Sequence, residues 1–318
     1  QAPTDSSQRK NNMKFIYIFH LIFMIHYVVS RNCSENTIFL PNGAKIFKVM
    51  VDPYPLISVS NDADKVLYEA LVKKDGMKHS IFYVLRESLL EFKNSRRHHS
   101  QSDYIIDWGC NFGTVSIIAA KLGFHSLCVE ASPHTQISLA INLALNCVQD
   151  MVQLIKSGVS NKQGQLYMAN NSLSGSNGLD FSNTTKADHV LVPVNTWDNI
   201  VHDLNFTQTA ALMKIDIEGG EYNALLGAKE FFKHRPPKMI IIEYRPHRTH
   251  VLKLLNEEYF YHLYVLDNVD DCGPDQGLQW KTRPIYDLVE FDKGLPNVDV
   301  VGVLDKVKYL QKYNKPLP

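Results

Sequence analysis

From Tyr104 onward, short apolar runs alternate with stretches whose apolar residues recur every three or four positions. The pattern predicts a strand at 104–107, a helix at 114–122, a strand at 126–130, a helix at 133–146 and a strand at 152–156. Such alternation means a parallel sheet covered by helices. Gly123 supplies a helix stop, and Ser132 followed by Pro133 supplies an N-cap and a proline at the first helical position. Ile137, Ile141, Ala144 and Val148 then form one apolar face. After 161–188, rich in Ser, Asn and Gly and read as a long surface excursion with a possible strand at 165–168, the sheet is expected to resume. Its later elements are strands at 189–194 and 212–217, a helix at 221–232, a strand at 238–244, a helical stretch at 249–258, and strands at 262–266 and 298–304. The expected architecture is α/β: a Rossmann-like, seven-stranded, mostly parallel sheet with helices on both faces.

A smaller region precedes it. Apolar stretches within 37–51 flank Pro41-Asn42-Gly43, and Asn-Gly between strand-like runs signals a hairpin. Helical patterns follow at 63–72 and 79–92, and the polar, basic 93–103 reads as a linker. The chain is thus divided into 1–30, an N-terminal filler and targeting segment; 31–102, a lead-in region; and 103–318, the main domain. No internal repeat is visible.

Composition adds bounds. Of 318 residues, 45% are hydrophobic, which supports a sizeable core, and 33 basic residues balance 33 acidic ones. That balance argues for no nucleic-acid partner. Lys14 precedes a largely apolar run at 15–29, short of the roughly 20 residues that span a bilayer. It reads as a signal peptide, with a single-pass anchor or a buried core element as alternatives. The expected location is the secretory pathway, in the ER or Golgi lumen or outside the cell, with membrane anchorage through 14–30 as the variant. Asn-x-Ser/Thr triplets at Asn32, Asn170, Asn183 and Asn205 agree with export. The five cysteines lack metal-ligand spacing, so no metal site and no disulfide framework is expected; Cys110, Cys128 and Cys147 read as small buried hydrophobes.

The chemistry concentrates in two segments. In the first, Gly109 and Gly113 form a strand-to-helix turn, with Asn111 between them, that lets backbone approach a ligand. Asp107 at the strand end would repel a pyrophosphate, whereas the ammonium and sulfonium of S-adenosylmethionine suit it. Glu130, at the next strand's end, can accept both hydroxyls of a ribose. Asp107, Gly109, Asn111, Gly113 and Glu130 are therefore the expected cofactor-binding residues.

The second segment is Lys214-Ile215-Asp216-Ile217-Glu218-Gly219-Gly220-Glu221. A central parallel strand should be apolar on both faces, so its charges point to the ligand crevice at the carboxyl edge. Asp216 is the first candidate for a base, with Glu218 sharing that role and Lys214 holding a carboxylate or stabilising an alkoxide. A structural ion-pair cluster is the competing reading. Glu243 and His247, at the end of the next strand, are expected to line an acceptor pocket.

These residues together carry a family pattern: residues 103–267 resemble FkbM-type methyltransferases. Asp107-Trp108-Gly109-Cys110-Asn111-Phe112-Gly113 is similar to that family's Asp-x-Gly-Ala-Asn-x-Gly loop, and Val129-Glu130-Ala131-Ser132-Pro133 to its Phe-Glu-Pro-x-Pro element. Ser157 through Gly164 and Val194-Asn195-Thr196-Trp197-Asp198 resemble further loops. Lys214 to Glu221 is similar to Lys-x-Asp-x-Glu-Gly-x-Glu. Cys110, Trp108, Ala131 and Gly220 depart from the pattern. The resemblance implies an S-adenosylmethionine-dependent methyltransferase acting on hydroxyls of carbohydrates or small molecules. An inactive binding protein on the same fold and an NAD-dependent oxidoreductase are the rivals; the missing Gly-x-Gly-x-x-Gly disfavours the latter.

Overall fold

The computed structural model of the chain describes residues 45–51, 54–60, 80–94, 104–169, 179–180, 189–266, 282–286, 288 and 298–313. The expected hairpin turn at Pro41-Asn42-Gly43, the helix at 63–72 and most of the linker at 93–103 lie outside them. In the N-terminal region β1 (Lys45–Val51) pairs antiparallel with β2 (Tyr54–Ser60). Helix α1 (Ser80–Asn94) follows, as the apolar periodicity predicts, and buries Val84, Leu85 and Leu89.

The main sheet is built by β3 (Tyr104–Trp108), β4 (His125–Val129), β5 (Val152–Ile155), β10 (Ala210–Ile215), β11 (Met239–Tyr244), β12 (Tyr261–Leu266), β13 (Thr282–Pro284) and β14 (Val298–Leu304). Their spatial order is β13-β12-β14-β11-β10-β3-β4-β5. From β5 to β11 neighbours run parallel. β14 runs antiparallel between β11 and β12. This is the Rossmann-like, mostly parallel sheet read from the sequence, with seven long strands and the short β13 added at one edge. The strand order reverses between β3 and β10, and open α/β sheets bind ligands at the carboxyl ends of the strands where such a reversal occurs.

Period-two alternation divides the core. Ile105, Cys128, Leu212, Ile241 and Val301 pack on one face with α1 and with α2 (Thr114–Lys121). Ile106, Trp108, Val129, Met213, Ile215, Ile242 and Val300 pack on the other, under α4 (Trp197–Asp203), α5 (Glu221–Leu226) and α6 (Lys229–His234). Helix α3 (Pro133–Leu145) begins as expected: the Ser132 side chain accepts the Thr135 backbone N–H. Its buried face agrees with the expected one at Ile141 and Val148 and differs elsewhere. Ile137 is 50% exposed, while Leu139, Asn142 and Leu143 face inward. The Asn142 amide donates to the Phe112 carbonyl at 2.9 Å, so a polar residue occupies a core position that an apolar count passes over.

The strand expected at 189–194 belongs elsewhere. As β9 (His189–Asn195) it joins β6 (Gly158–Val159), β7 (Gly164–Ala169) and β8 (Leu179–Asp180) in a separate sheet ordered β6-β9-β7-β8. The excursion is therefore a second layer. It docks through Gly227, whose carbonyl accepts the Asp198 N–H at the start of α4. A Cβ on Gly227 would lie 2.0 Å from the Ser160 carbonyl oxygen just past β6. The chain continues through α7 (Thr249–Lys253), widening into a π-helical turn at Leu254–Glu258, and α8 (Lys306–Tyr313) closes the described fold.

Gly227→Ala is expected to destabilise the protein by about 1–3 kcal/mol, the usual cost of forcing atoms into a packed contact. Urea unfolding checks it; an unchanged midpoint would contradict this account of the docking.

Candidate cofactor and acceptor site

The turn after β3 is held from both sides. The N–H groups of Gly109 and Cys110 both donate to the Val129 carbonyl, at 3.0 and 3.1 Å, and Gly113 donates to Cys110 at 2.7 Å. Gly109, Asn111 and Gly113 all have positive φ, a conformation that glycine and asparagine accept readily. The glycines also serve internal packing. A Cβ on Gly109 would sit 1.8 Å from the Asp216 carbonyl oxygen, and one on Gly113 2.4 Å from Leu139. The chain leaving β10 crosses directly against Gly109, and the Asp216 N–H donates to the Trp108 carbonyl at 3.1 Å.

A disulfide joins Cys110 in this turn to Cys128 on β4. It corrects the reading of both as free hydrophobes. The two are 18 residues apart and meet because β3 and β4 lie side by side, with Asp107 opposite Cys128. Cys147 is disulfide-bonded as well.

Asp107 is fully buried beneath the turn, not on its surface. Its Oδ2 accepts the Ser116 hydroxyl of α2 at 2.8 Å, and Oδ1 has no hydrogen-bond partner. Burial raises its pKa, opposed by Lys214 and by Ser116. Glu130 sits at the mouth, 8% exposed, where the Asn111 N–H donates to Oε2 at 2.9 Å and the Ser132 N–H to Oε1 at 2.8 Å. Each oxygen keeps a further lone pair. Burial raises this pKa also, against those two N–H bonds. The side-chain oxygen of Asn111 is a second buried acceptor with no donor.

The structure brings the second segment against the first. Lys214, last but one in β10, faces Asp107 across the β10–β3 pairing. Its ammonium donates to Asp216 Oδ2 at 3.0 Å and reaches the Gly109 carbonyl at 3.4 Å. Burial works against this charge, but Asp216 and Asp107 outweigh it and hold the pKa above the ordinary lysine value. Lys214 is thus a permanent cation. The strand ends at Ile215, so Glu218 lies in the following turn at positive φ, where Arg245 pairs with it. Arg245 also pairs with Glu243 at 3.2 Å. Glu221 opens α5 but is 2% exposed, accepting the Gly219 N–H and pairing with Arg248 at 2.9 Å, a structural tie.

Oxygens of Asp216, Glu218 and Glu243 lie within 4.8 Å of one another. Lys214 pairs with Asp216, and Arg245 with Glu218 and Glu243, so two cations face these three carboxylates. His247 is exposed, on the loop beyond β11.

Arg245, Arg248 and Asp299 are the residues that sequence reasoning missed. Asp299, near the start of β14, lies directly opposite Glu243. Burial and the neighbouring charge of Asp216 push its carboxyl up to about 7, with Lys214 opposing. Its signal was a lone charge between Val298 and Val300 in a strand-like run.

The sequence model of the FkbM methyltransferase domain matches residues 107–273, more than half the chain. The chain belongs to the FkbM methyltransferase family. Among solved structures it is similar to the FkbM methyltransferase of Methylobacillus flagellatus KT, at 17% identity and a TM-score of 0.38, over 68% of this chain and 47% of that one. The chain thus spans about half the length of that protein. A precorrin-6y C5,15-methyltransferase from Geobacter metallireducens GS-15 matches at 12% identity and TM-score 0.38, over 74% of this chain and 90% of its own. A SAM-dependent methyltransferase from Agrobacterium tumefaciens matches at 9% and 0.43, over 86% and 72%. Among curated proteins none matches in sequence.

Two outcomes follow from the charge network. Lys214→Met leaves buried carboxylates without their cation and is expected to cost about 3–5 kcal/mol in urea unfolding. The raised pKa values of Asp107, Glu130, Glu218, Glu243 and Asp299 mean that the folded state holds more protons than the unfolded one. Their contribution is fully present below the ordinary carboxylate range and is lost as pH rises through the folded values, up to about 7 for Asp299. Thermal melting between pH 5 and 8 should show a falling Tm; a rising one contradicts these shifts.

Proposed function

We propose that this FkbM family member transfers a methyl group from S-adenosylmethionine to a hydroxyl of a glycan or other small hydroxylated acceptor. The observation that carries the reading is a surplus of acceptor atoms over donors where β3 and β10 diverge. Glu130 keeps free lone pairs, and the buried oxygens of Asp107 and Asn111 have no donor at all. A ligand bearing an ammonium, a ribose diol and a sulfonium supplies donors for Glu130 and positive charge above the buried Asp107; a pyrophosphate would supply neither. When bound, that cofactor offers an electrophilic methyl on a positively charged sulfur.

The protein's own residues do the rest. Glu130, fixed by the N–H groups of Asn111 and Ser132, receives the ribose hydroxyls. Asp107 acts from beneath, setting Ser116 and the local charge. Lys214 pairs with Asp216 and aims it at the crevice, while Arg245 holds Glu218 and Glu243 at the acceptor side. Positioning of this kind contributes most to methyl transfer, since it aligns oxygen, carbon and sulfur.

The reading extends to location: the domain folds in an oxidising compartment of the secretory pathway. The Cys110–Cys128 disulfide supports it, as does the exposure of Asn205 and Thr207 in one Asn-x-Thr triplet. No helix among the described residues is long and apolar enough to cross a membrane, and the segment at 14–30 lies outside them. Anchorage or cleavage there remains part of the proposal.

Calorimetric titration of the purified protein should show S-adenosylmethionine binding and no NAD binding, with Glu130→Ala weakening the former by about tenfold or more, the worth of lost buried hydrogen bonds. No heat with S-adenosylmethionine sinks the reading. Transfer of labelled methyl to methyl glycosides tests the acceptor class separately, and a glycosidase-sensitive mobility shift on expression in secretory cells tests the compartment.

A further inference from the structure

Four carboxylates crowd the carboxyl edge at β10, β11 and β14, and three of them are engaged. Asp216 is paired with Lys214, and Glu218 and Glu243 share the Arg245 guanidinium. Asp299 is the fourth. Among the described residues it makes no hydrogen bond and no ion pair, although Asp216, Lys214 and Glu243 all act on it electrostatically. Its place is defined by register. It lies opposite Glu243 in the antiparallel β11–β14 pair, so the two side chains project from the same face. Asp216 follows the last paired residues of β10 and β11, Ile215 and Ile242, and so flanks Glu243 on that face. On the other flank of β14, β12 ends in the apolar Val265 and Leu266. Thus the groups facing Asp299 are two acids and one distant lysine, with Arg245 committed to Glu218 and Glu243.

We infer that Asp299 is the proton acceptor of the methyl-transfer step, taking the proton of the acceptor hydroxyl. The inference rests on the methyltransferase reading above and replaces Asp216, the first candidate from sequence, in that role. The balance is simple. An oxygen lone pair of the acceptor forms the new O–C bond, the C–S bond breaks with its electron pair retained by sulfur, and the hydroxyl proton passes to the Asp299 carboxylate. Solvent later removes that proton.

The division of labour is physical. A base needs an oxygen free to receive the proton, and Asp216, Glu218 and Glu243 each have an oxygen committed to Lys214 or Arg245. Asp299 has the opposite surroundings: burial and the Asp216 charge bring its carboxyl to about 7. Arrival of a cationic cofactor beside the cluster favours the ionised form, so binding itself prepares the base.

The decisive measurement does not need turnover. S-adenosylmethionine is titrated calorimetrically at pH 7 into the whole protein, in two buffers that differ in ionisation enthalpy. The wild type should release up to about half a proton per cofactor bound, since a group near its pKa is half protonated. Asp299→Asn should bind within about fivefold of the wild-type affinity and release little or no proton. Binding without proton release by the wild type overturns the inference, as does undiminished release by Asp299→Asn. An absence of binding overturns the methyltransferase reading itself and this inference with it.

A second arm uses methyl transfer to a set of methyl hexopyranosides. Asp299→Asn should lower kcat by about 10²–10⁴-fold, the usual worth of general-base catalysis, with little change in KM and loss of the rising limb near pH 7. Asp299→Glu should restore part of the rate. Full activity of Asp299→Asn overturns the assignment. If these sugars are not methylated by the wild type, the proton count alone decides, and the acceptor class falls independently.

Discussion

The ammonium of Lys214 is the constraint on which the site depends. It lies in the middle of the sheet, where a charge is costly, and it is retained because Asp107, Asp216 and the Gly109 carbonyl surround it. Those partners come from two strands that diverge in topology. Asp107 belongs to β3, which leads into the turn at Gly109, while Asp216 belongs to the chain leaving β10. A cation satisfied by both keeps the two loops together at the point where the sheet reverses its order. The missing Cβ of Gly109 makes the close approach possible, because any side chain there would meet the Asp216 carbonyl.

From this centre the charges spread outward along one face. Lys214 serves Asp216, Arg245 serves Glu218 and Glu243, and Arg248 serves Glu221. Of the competing readings of this segment, the ion pairs are what the structure displays. Glu221 is structural, since it is buried and fully tied. Asp216, Glu218 and Glu243 are paired too, but they are only half-buried, and their cations fix their direction.

Elements whose signals are local were legible in the sequence. Strands β3, β4, β10 and β11 and helices α1, α2 and α3 announce themselves through periodicity, the Ser132 cap and the Gly123 stop, all of which depend on neighbours in the chain. What was not legible depends on pairing across the sheet. β9 reads as a strand of the main sheet, yet it joins another sheet, because strand partners are chosen by contacts that no local pattern encodes. Cys110 and Cys128 look like two unrelated small residues until β3 and β4 lie in register. Asp299 is the same kind of omission: its meaning comes from Glu243 across the antiparallel pair.

The disulfide changes the mechanical picture of the cofactor turn. A loop with three residues at positive φ, held only by backbone hydrogen bonds, would sample many conformations before a ligand arrived. Here Cys110 is bonded covalently to the strand that ends at Glu130, and Asn111, its neighbour, donates to the Glu130 carboxylate. The turn and Glu130 are therefore tied together. Since both cysteines are buried, a reductant reaches the bond only when the core opens, so the tie is permanent once formed. Orphaned acceptors in such a rigid turn cannot relax to find partners within the protein, which keeps them poised for a ligand that brings its own donors and charge.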